Sequence, residues 1–320
     1  MKQTLTPGRW RGLRASSTPG SIFTILAFDQ RDSYRKMLPK DASYELAVQI
    51  KQEIVVKLSD HVSAVLLDSE YGLGPALNMS GHTGLLMALE KSGYSGDSTY
   101  RRVAFYDDWS VAKIKQVGAA AVKLLTYYHP GSGPLAEEIE ALIKQVADEC
   151  HRHDIPLFLE PVSYSLDGAV PKDSADYART RPAVVAETAR RLSALNPDVL
   201  KMEFPVDAAF DSDQRSWQTG CDAVSAAATV PWVLLSAGVD FDVFAQQVLV
   251  ACRAGASGYL AGRAIWKESV AMDADSRHAF LVRVALDRLA RLNEVAAAHA
   301  RPWSDFYEPI PATKDWLSRI

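Results

Sequence analysis

The stretch Pro197 to Asp207, PDVLKMEFPVD, decides how the chain is read. Its apolar residues make it a buried parallel strand, yet Lys201 and Glu203 stand in its middle. Side chains alternate faces along a strand, so Lys201 and Glu203 point one way and Leu200, Met202 and Phe204 the other. A strand that aims a lysine and a glutamate at one interior needs a reason for both charges.

Working outward, short apolar runs of the same kind recur at 21–29, 63–70, 100–107, 119–128, 155–162, 231–239 and 257–264. With the opening stretch they predict eight strands. Helical patterns such as ELAVQIKQEIVVKLSD and FDVFAQQVLVACRAGA lie between them, several ending at Gly or Pro. Strands alternating with helices imply parallel βαβ units, and eight such units predict an α/β fold, a (β/α)8 TIM barrel. A doubly wound open sheet is the alternative, but no GxGxxG follows the first strand. No linker or shift in composition divides residues 1–320, so a single domain is expected. Residues 1–20 read as an N-terminal extension, and 275–320 as a C-terminal amphipathic helix and tail.

Composition bounds the function. The 320 residues are 48% hydrophobic and 23% charged, with a net charge of −4 and no block of like charge. A nucleic-acid or membrane partner is therefore not expected. The longest early apolar run, SIFTILAF, is too short to span a bilayer. Cys150, Cys221 and Cys252 are widely spaced, which argues against a disulfide framework or zinc site and suits a reducing cytoplasm.

Barrel enzymes carry their chemistry at the C-terminal ends of strands. Here those ends bring Asp29 and Gln30, Asp68 and Glu70, Lys123, Glu160, Lys201 and Glu203, Ser236, and Gly262 with Arg263. With Lys123, Glu160 and Lys201 inward, Val122, Leu124, Leu157 and Leu159 pack beneath helices. The fourth and sixth strands are both even-numbered, so Lys123 and Lys201 fall in one layer. A lysine attacks a carbonyl only as the neutral amine, which requires a pKa below the usual value of about 10.4. Partial desolvation and a neighbouring cation both act in that direction, and Lys123 is placed to be that cation. Glu160 or Glu203 could then move protons during Schiff-base formation. The resulting iminium is an electron sink for C–C cleavage without a metal. A structural ion pair is the plainer reading of any one Lys–Glu pair, for Glu203 above all. Asp68 and Glu70 read as loop caps.

The loops after the seventh and eighth strands, LLSAGVD and AGRAIW, fit a phosphate through Ser236, Gly238, Gly262 and Arg263. Of the histidines, His151 and His153 fall on the opposite face of the barrel. Only His129, in TYYHPGSG, is expected near substrate, and one histidine makes no metal site.

LAFDQR, LLDSEYGLGPAL, VKLLTYYHP, PLFLEPVSY, DVLKMEFPVD, VLLSAGVDFDVF and GYLAGRAIWKE resemble the tagatose 1,6-bisphosphate aldolase family, from roughly residue 20 to 270. Its relatives include sulfofructose 1-phosphate aldolase. The resemblance implies a class I aldolase with no cofactor, in which Lys201 forms the Schiff base and Glu160 shuttles protons. Lys123, Asp29 and Gln30 would complete the catalytic shell. Ser236, Gly238, Gly262 and Arg263 would hold the phosphate of dihydroxyacetone phosphate. The second anion of the substrate, a phosphate or a C6 sulfonate, stays open, with Lys172, Arg179 and Arg181 as candidate contacts. A phosphosugar isomerase and a non-catalytic regulatory barrel are the competing classes, and a homo-oligomer is expected by analogy alone.

Overall fold

The computed structural model describes residues 2–95 and 101–319. Eight parallel strands close into a barrel: β1 (Phe23–Phe28), β2 (Ala64–Leu67), β3 (Gly84–Ala88), β4 (Ala121–Tyr127), β5 (Leu157–Val162), β6 (Val199–Met202), β7 (Trp232–Leu235) and β8 (Gly258–Ala261). β8 pairs with β1, which completes the ring. The chain is a single-domain (β/α)8 barrel.

Strand parity sorts the core into two shells. Phe23, Ile25, Ala121, Phe158, Val199 and Val233 fill the barrel interior. Leu26, Phe28, Val122, Leu124, Leu157, Leu159, Leu200 and Met202 face out under the helices, as alternation predicts. The helices start where their chemistry says they should. Ser43 and Ser174 accept from the amides of Leu46 and Tyr177, and so cap helices Tyr44–Ser59 and Ala175–Ser193.

The third strand is a correction. The run predicted at 100–107 is the second arm of an antiparallel hairpin, Glu90–Ser95 with Arg102–Phe105, and residue 100 lies outside the described residues. The barrel strand is Gly84–Ala88, pairing Leu85 with Val65 and Ala88 with Lys123. Leu85, Leu86, Met87 and Ala88 are good helix formers with no β-branch, whereas Val103 and Phe105 carry the strand propensity. Neighbours in the closing barrel override the local preference.

Both chain ends form the barrel's floor. Gln3–Leu5 pairs in parallel with Tyr307–Pro309, and helix Pro7–Ala15 follows the first of them. Trp303 is fully buried, edge-on to Trp10 at 4.8 Å and stacked on Phe23 at 6.5 Å, while Phe23 meets Phe158 at 5.3 Å. Asp198 locks this end: it pairs with Arg9 at 2.7 Å, accepts from the Leu157 amide, and its carbonyl accepts from the Tyr307 hydroxyl.

Because Trp303 plugs the floor far from the polar mouth, Trp303→Ala is expected to cost about 3–5 kcal/mol of unfolding free energy. Urea unfolding at neutral pH reads this directly; a loss below 1 kcal/mol, roughly a point substitution's average effect, would show that the floor collapses to fill the gap.

Candidate active site

At the C-terminal mouth, β4, β5 and β6 present Lys123, Glu160 and Lys201 to one point. The Lys201 Nζ lies 2.9 Å from Glu160 Oε2, and the Lys123 Nζ lies 2.9 Å from the same oxygen. One carboxylate oxygen thus sits between two lysine nitrogens. Lys123 also donates to Asp29 Oδ2 at 2.7 Å and to Glu90 Oε1 at 2.6 Å. Lys123, Glu90, Asp29, Glu160 and Lys201 are all buried.

The electrostatics divide the two lysines. Burial opposes charge on Lys123, but Asp29, Glu160 and Glu90 outweigh it and hold the ammonium protonated well above lysine's ordinary range. Burial likewise works against an ionised Asp29, yet Lys123, Lys201 and Arg31 hold its carboxyl well below the usual range. Among the described residues Lys123 has three carboxylates within ion-pair distance, and Lys201 has one, which it shares.

Glu90 and Arg31 were not expected from the sequence. Glu90 follows the true third strand, so misplacing that strand hid it. The signal was present: the run GLLMALE ends in a carboxylate just as IPLFLE ends at Glu160. Arg31 donates to the Glu90 carbonyl at 2.7 Å and approaches its carboxylate at 3.4 Å. Lys51, also unforeseen, rises from helix Tyr44–Ser59 to the carbonyls of Phe28 and Gln30 and to Asp68. Asp68 in turn accepts from the amides of Glu70 and Tyr71, and so works as the loop cap its position suggested.

Glu203 is turned inward but has no ion pair with Lys201. It pairs with Lys172 at 2.6 Å and accepts from the Ser163 amide and hydroxyl at 2.7 and 2.5 Å. Burial would raise its carboxyl, but Lys172, Arg181 and Ser163 hold it below the usual range. Glu203 therefore tethers the segment after β5. Of the three candidates for the second anion, Lys172 and Arg181 line the mouth cavity, while Arg179 is exposed and paired with Asp176. His129 does not line that cavity; its Nδ1 accepts from the Gly131 amide within its own turn.

The predicted phosphate residues come together between β7 and β8. Ser236 Oγ accepts from the Gly262 amide at 3.3 Å. Gly238 has φ +83°, and a Cβ there would lie 2.8 Å from the Arg263 guanidinium carbon. Glycine takes that backbone shape without strain, and a side chain there would push the guanidinium aside. A Cβ at Gly262 would stand 3.4 Å from the Gln30 amide nitrogen, which puts Gln30 beside the same pocket. The mouth cavity, about 1000 Å³, takes in Asp29, Gln30, Lys123, Glu160 and Arg263 together.

Comparison with known proteins agrees with this geometry. Residues 23–268 match the DeoC/LacD family aldolase description, and the chain belongs to that family. It is 33% identical to the tagatose 1,6-diphosphate aldolase of Streptococcus agalactiae serotype V, over 94% of this chain and 99% of that one. It is 34% identical to tagatose 1,6-diphosphate aldolase 2 of Enterococcus faecalis, over 94% and 97%. Among solved structures, a Schiff-base-forming fructose-1,6-bisphosphate aldolase aligns with a TM-score of 0.58 at 21% identity, over 89% of this chain and 98% of that one. An archaeal fructose 1,6-bisphosphate aldolase aligns at 0.59 and 19%, over 90% and 98%. At those identities the structural likeness speaks to the fold.

The depressed Asp29 carboxyl gives stability that is full above its unfolded value of about 3.9 and is lost as pH falls through the lower folded value. Asp29→Asn is therefore expected to lower the melting temperature at pH 7. Its gap from the wild type should close below about pH 4, where the unfolded carboxyl is protonated anyway. A gap that stays constant from pH 7 to pH 2.5 would show that the Asp29 charge adds nothing.

Proposed function

We propose that the protein is a class I, Schiff-base aldolase. It reversibly cleaves a ketose bisphosphate, tagatose 1,6-bisphosphate foremost, to dihydroxyacetone phosphate and glyceraldehyde 3-phosphate. The observation that carries this reading is the single Glu160 oxygen standing 2.9 Å from both lysine nitrogens. The substrate assignment is supported by relatives of that name at about one-third identity along nearly the whole chain.

Lys201 is assigned the nucleophile's role because Lys123 is committed to three carboxylates. The Lys201 amine adds to the C2 carbonyl of the substrate. Glu160, 2.9 Å from that nitrogen, hands two protons from it to the substrate oxygen in turn: the one the lysine gives up to become the attacking amine, and the one the nitrogen sheds after addition. That oxygen leaves as water, and the C2–N iminium remains. A carboxylate of the cavity takes the C4 hydroxyl proton, the C3–C4 bond breaks, and its electron pair passes to C3 and into the iminium as an enamine. The aldehyde departs; protonation at C3 and addition of water then release dihydroxyacetone phosphate and restore the amine. Ser236, Gly238, Gly262, Arg263 and Gln30 hold the C1 phosphate through backbone amides and a guanidinium, which fixes C2 against Lys201. The three cysteines are free and buried, which suits a cytoplasmic enzyme.

Borohydride trapping with dihydroxyacetone phosphate, followed by peptide mass mapping, tests the assignment. One reduced adduct on Lys201 is expected. An adduct on Lys123 instead would reverse the two lysines, and no adduct with phosphate still bound would favour an isomerase or a regulatory barrel. Glu160→Gln is expected to lower kcat by about 10²–10⁴-fold, the usual contribution of a positioned acid–base group. Gly238→Ala should raise KM for the bisphosphate by about tenfold, the loss of roughly 1.4 kcal/mol of binding, by displacing Arg263.

A further inference from the structure

Lys123 raises a question that the proposed reaction leaves open. It borders the same cavity as Glu160 and carries the same amine as Lys201, so something must keep it from attacking the substrate carbonyl. Its neighbours come from every side of the mouth: Asp29 after β1, Glu90 after β3, Glu160 on β5, and Lys201 on β6 across the Glu160 oxygen.

Of these, Glu90 has the contacts of a holder. Oε1 accepts from Lys123 at 2.6 Å, while Oε2 accepts from the Leu125 amide at 3.1 Å. Leu125 sits two residues beyond Lys123 on β4, where β3 has already ended at Ala88. The Glu90 side chain thus continues the ladder that β3 no longer supplies. Arg31 fastens the other side through the Glu90 carbonyl. Asp29 and Glu160 border the mouth cavity as Glu90 does, but Glu160 is shared with Lys201. Glu90 is held by Lys123, by Arg31 and by the Leu125 amide.

We propose that Glu90 is a positioning residue that fixes Lys123 as the site's permanent cation and so reserves the nucleophile's role for Lys201. This rests on the Schiff-base reading given above. The consequence is chemical rather than merely structural: without the Glu90 charge, the second lysine of the site becomes competent to form an imine.

The experiment uses Lys201→Ala as background, because it removes the preferred amine. Each variant is incubated with dihydroxyacetone phosphate and borohydride and mapped by peptide mass. An imine forms by addition of the lysine amine to the ketone and loss of water, and borohydride supplies the hydride that fixes it as a secondary amine. Lys201→Ala alone is expected to give no adduct on Lys123. Lys201→Ala/Glu90→Gln keeps the side-chain volume and an oxygen for the Leu125 amide, and should give a Lys123 adduct at least tenfold above the detection limit. Lys201→Ala/Glu90→Asp restores the charge and should return the adduct to background, which separates the charge from the shape. An adduct on Lys123 in Lys201→Ala alone would overturn the proposal, since Lys123 would then be reactive with Glu90 in place. So would a folded Glu90→Gln double variant with no adduct, or equal adducts from the Gln and Asp variants. Failure of the wild type to trap on Lys201 would instead strike the Schiff-base reading itself, so the two failures are distinguishable.

Discussion

The Lys123 ammonium is the interaction on which the mouth of this barrel depends. It draws together carboxylates that follow β1, follow β3 and lie on β5, each within 2.9 Å of one nitrogen. A buried charge is tolerated only where opposite charge and hydrogen bonds replace its lost water. The three acids satisfy Lys123, and Lys123, with Arg31 and Lys201, satisfies them. Withdrawal of any one member leaves an uncompensated charge among buried side chains. The cluster therefore ties three strand ends together at one nitrogen.

The division of labour along each strand follows from this. The N-terminal halves of the strands end in an aromatic floor of Trp303, Phe23 and Phe158, closed by the short sheet that the two chain ends form. Their C-terminal halves end in charge. Stability is thereby concentrated in the floor and outer shell, and the mouth can carry costly polar groups. The segments after β5 and β6 are tied to one another by Glu203, Lys172 and Ser163, so this wall of the mouth cavity is braced by an ion pair of its own.

Membership of the DeoC/LacD aldolase family and the geometry of the mouth point the same way from independent directions. The family rests on likeness along the chain. The assignment of roles rests on which nitrogen is surrounded by how many acids. That count favours the same lysine, Lys201, that the family resemblance implies.

Much of this was legible in the residues. Strand parity depends on backbone geometry within a few residues, so the inward lysines at 123 and 201, the inward Glu160 and the outward Leu200 and Met202 could be read directly. That Ser236, Gly238, Gly262 and Arg263 lie together was legible too, because they stand at fixed short offsets from their strands. The third strand was not, since Leu85 to Ala88 carry helix propensity and become a strand only between β2 and β4. With it went Glu90, and with Glu90 the reason the two lysines differ. Glu203 misled for the same cause: its parity was local and correct, but its partner, Lys172, lies 31 residues away. The chain by itself determined which side chains face the interior. Which charges meet there, across 33 residues for Glu90 and 94 for Asp29, was decided only by closure of the barrel, because no local rule reaches across such a separation.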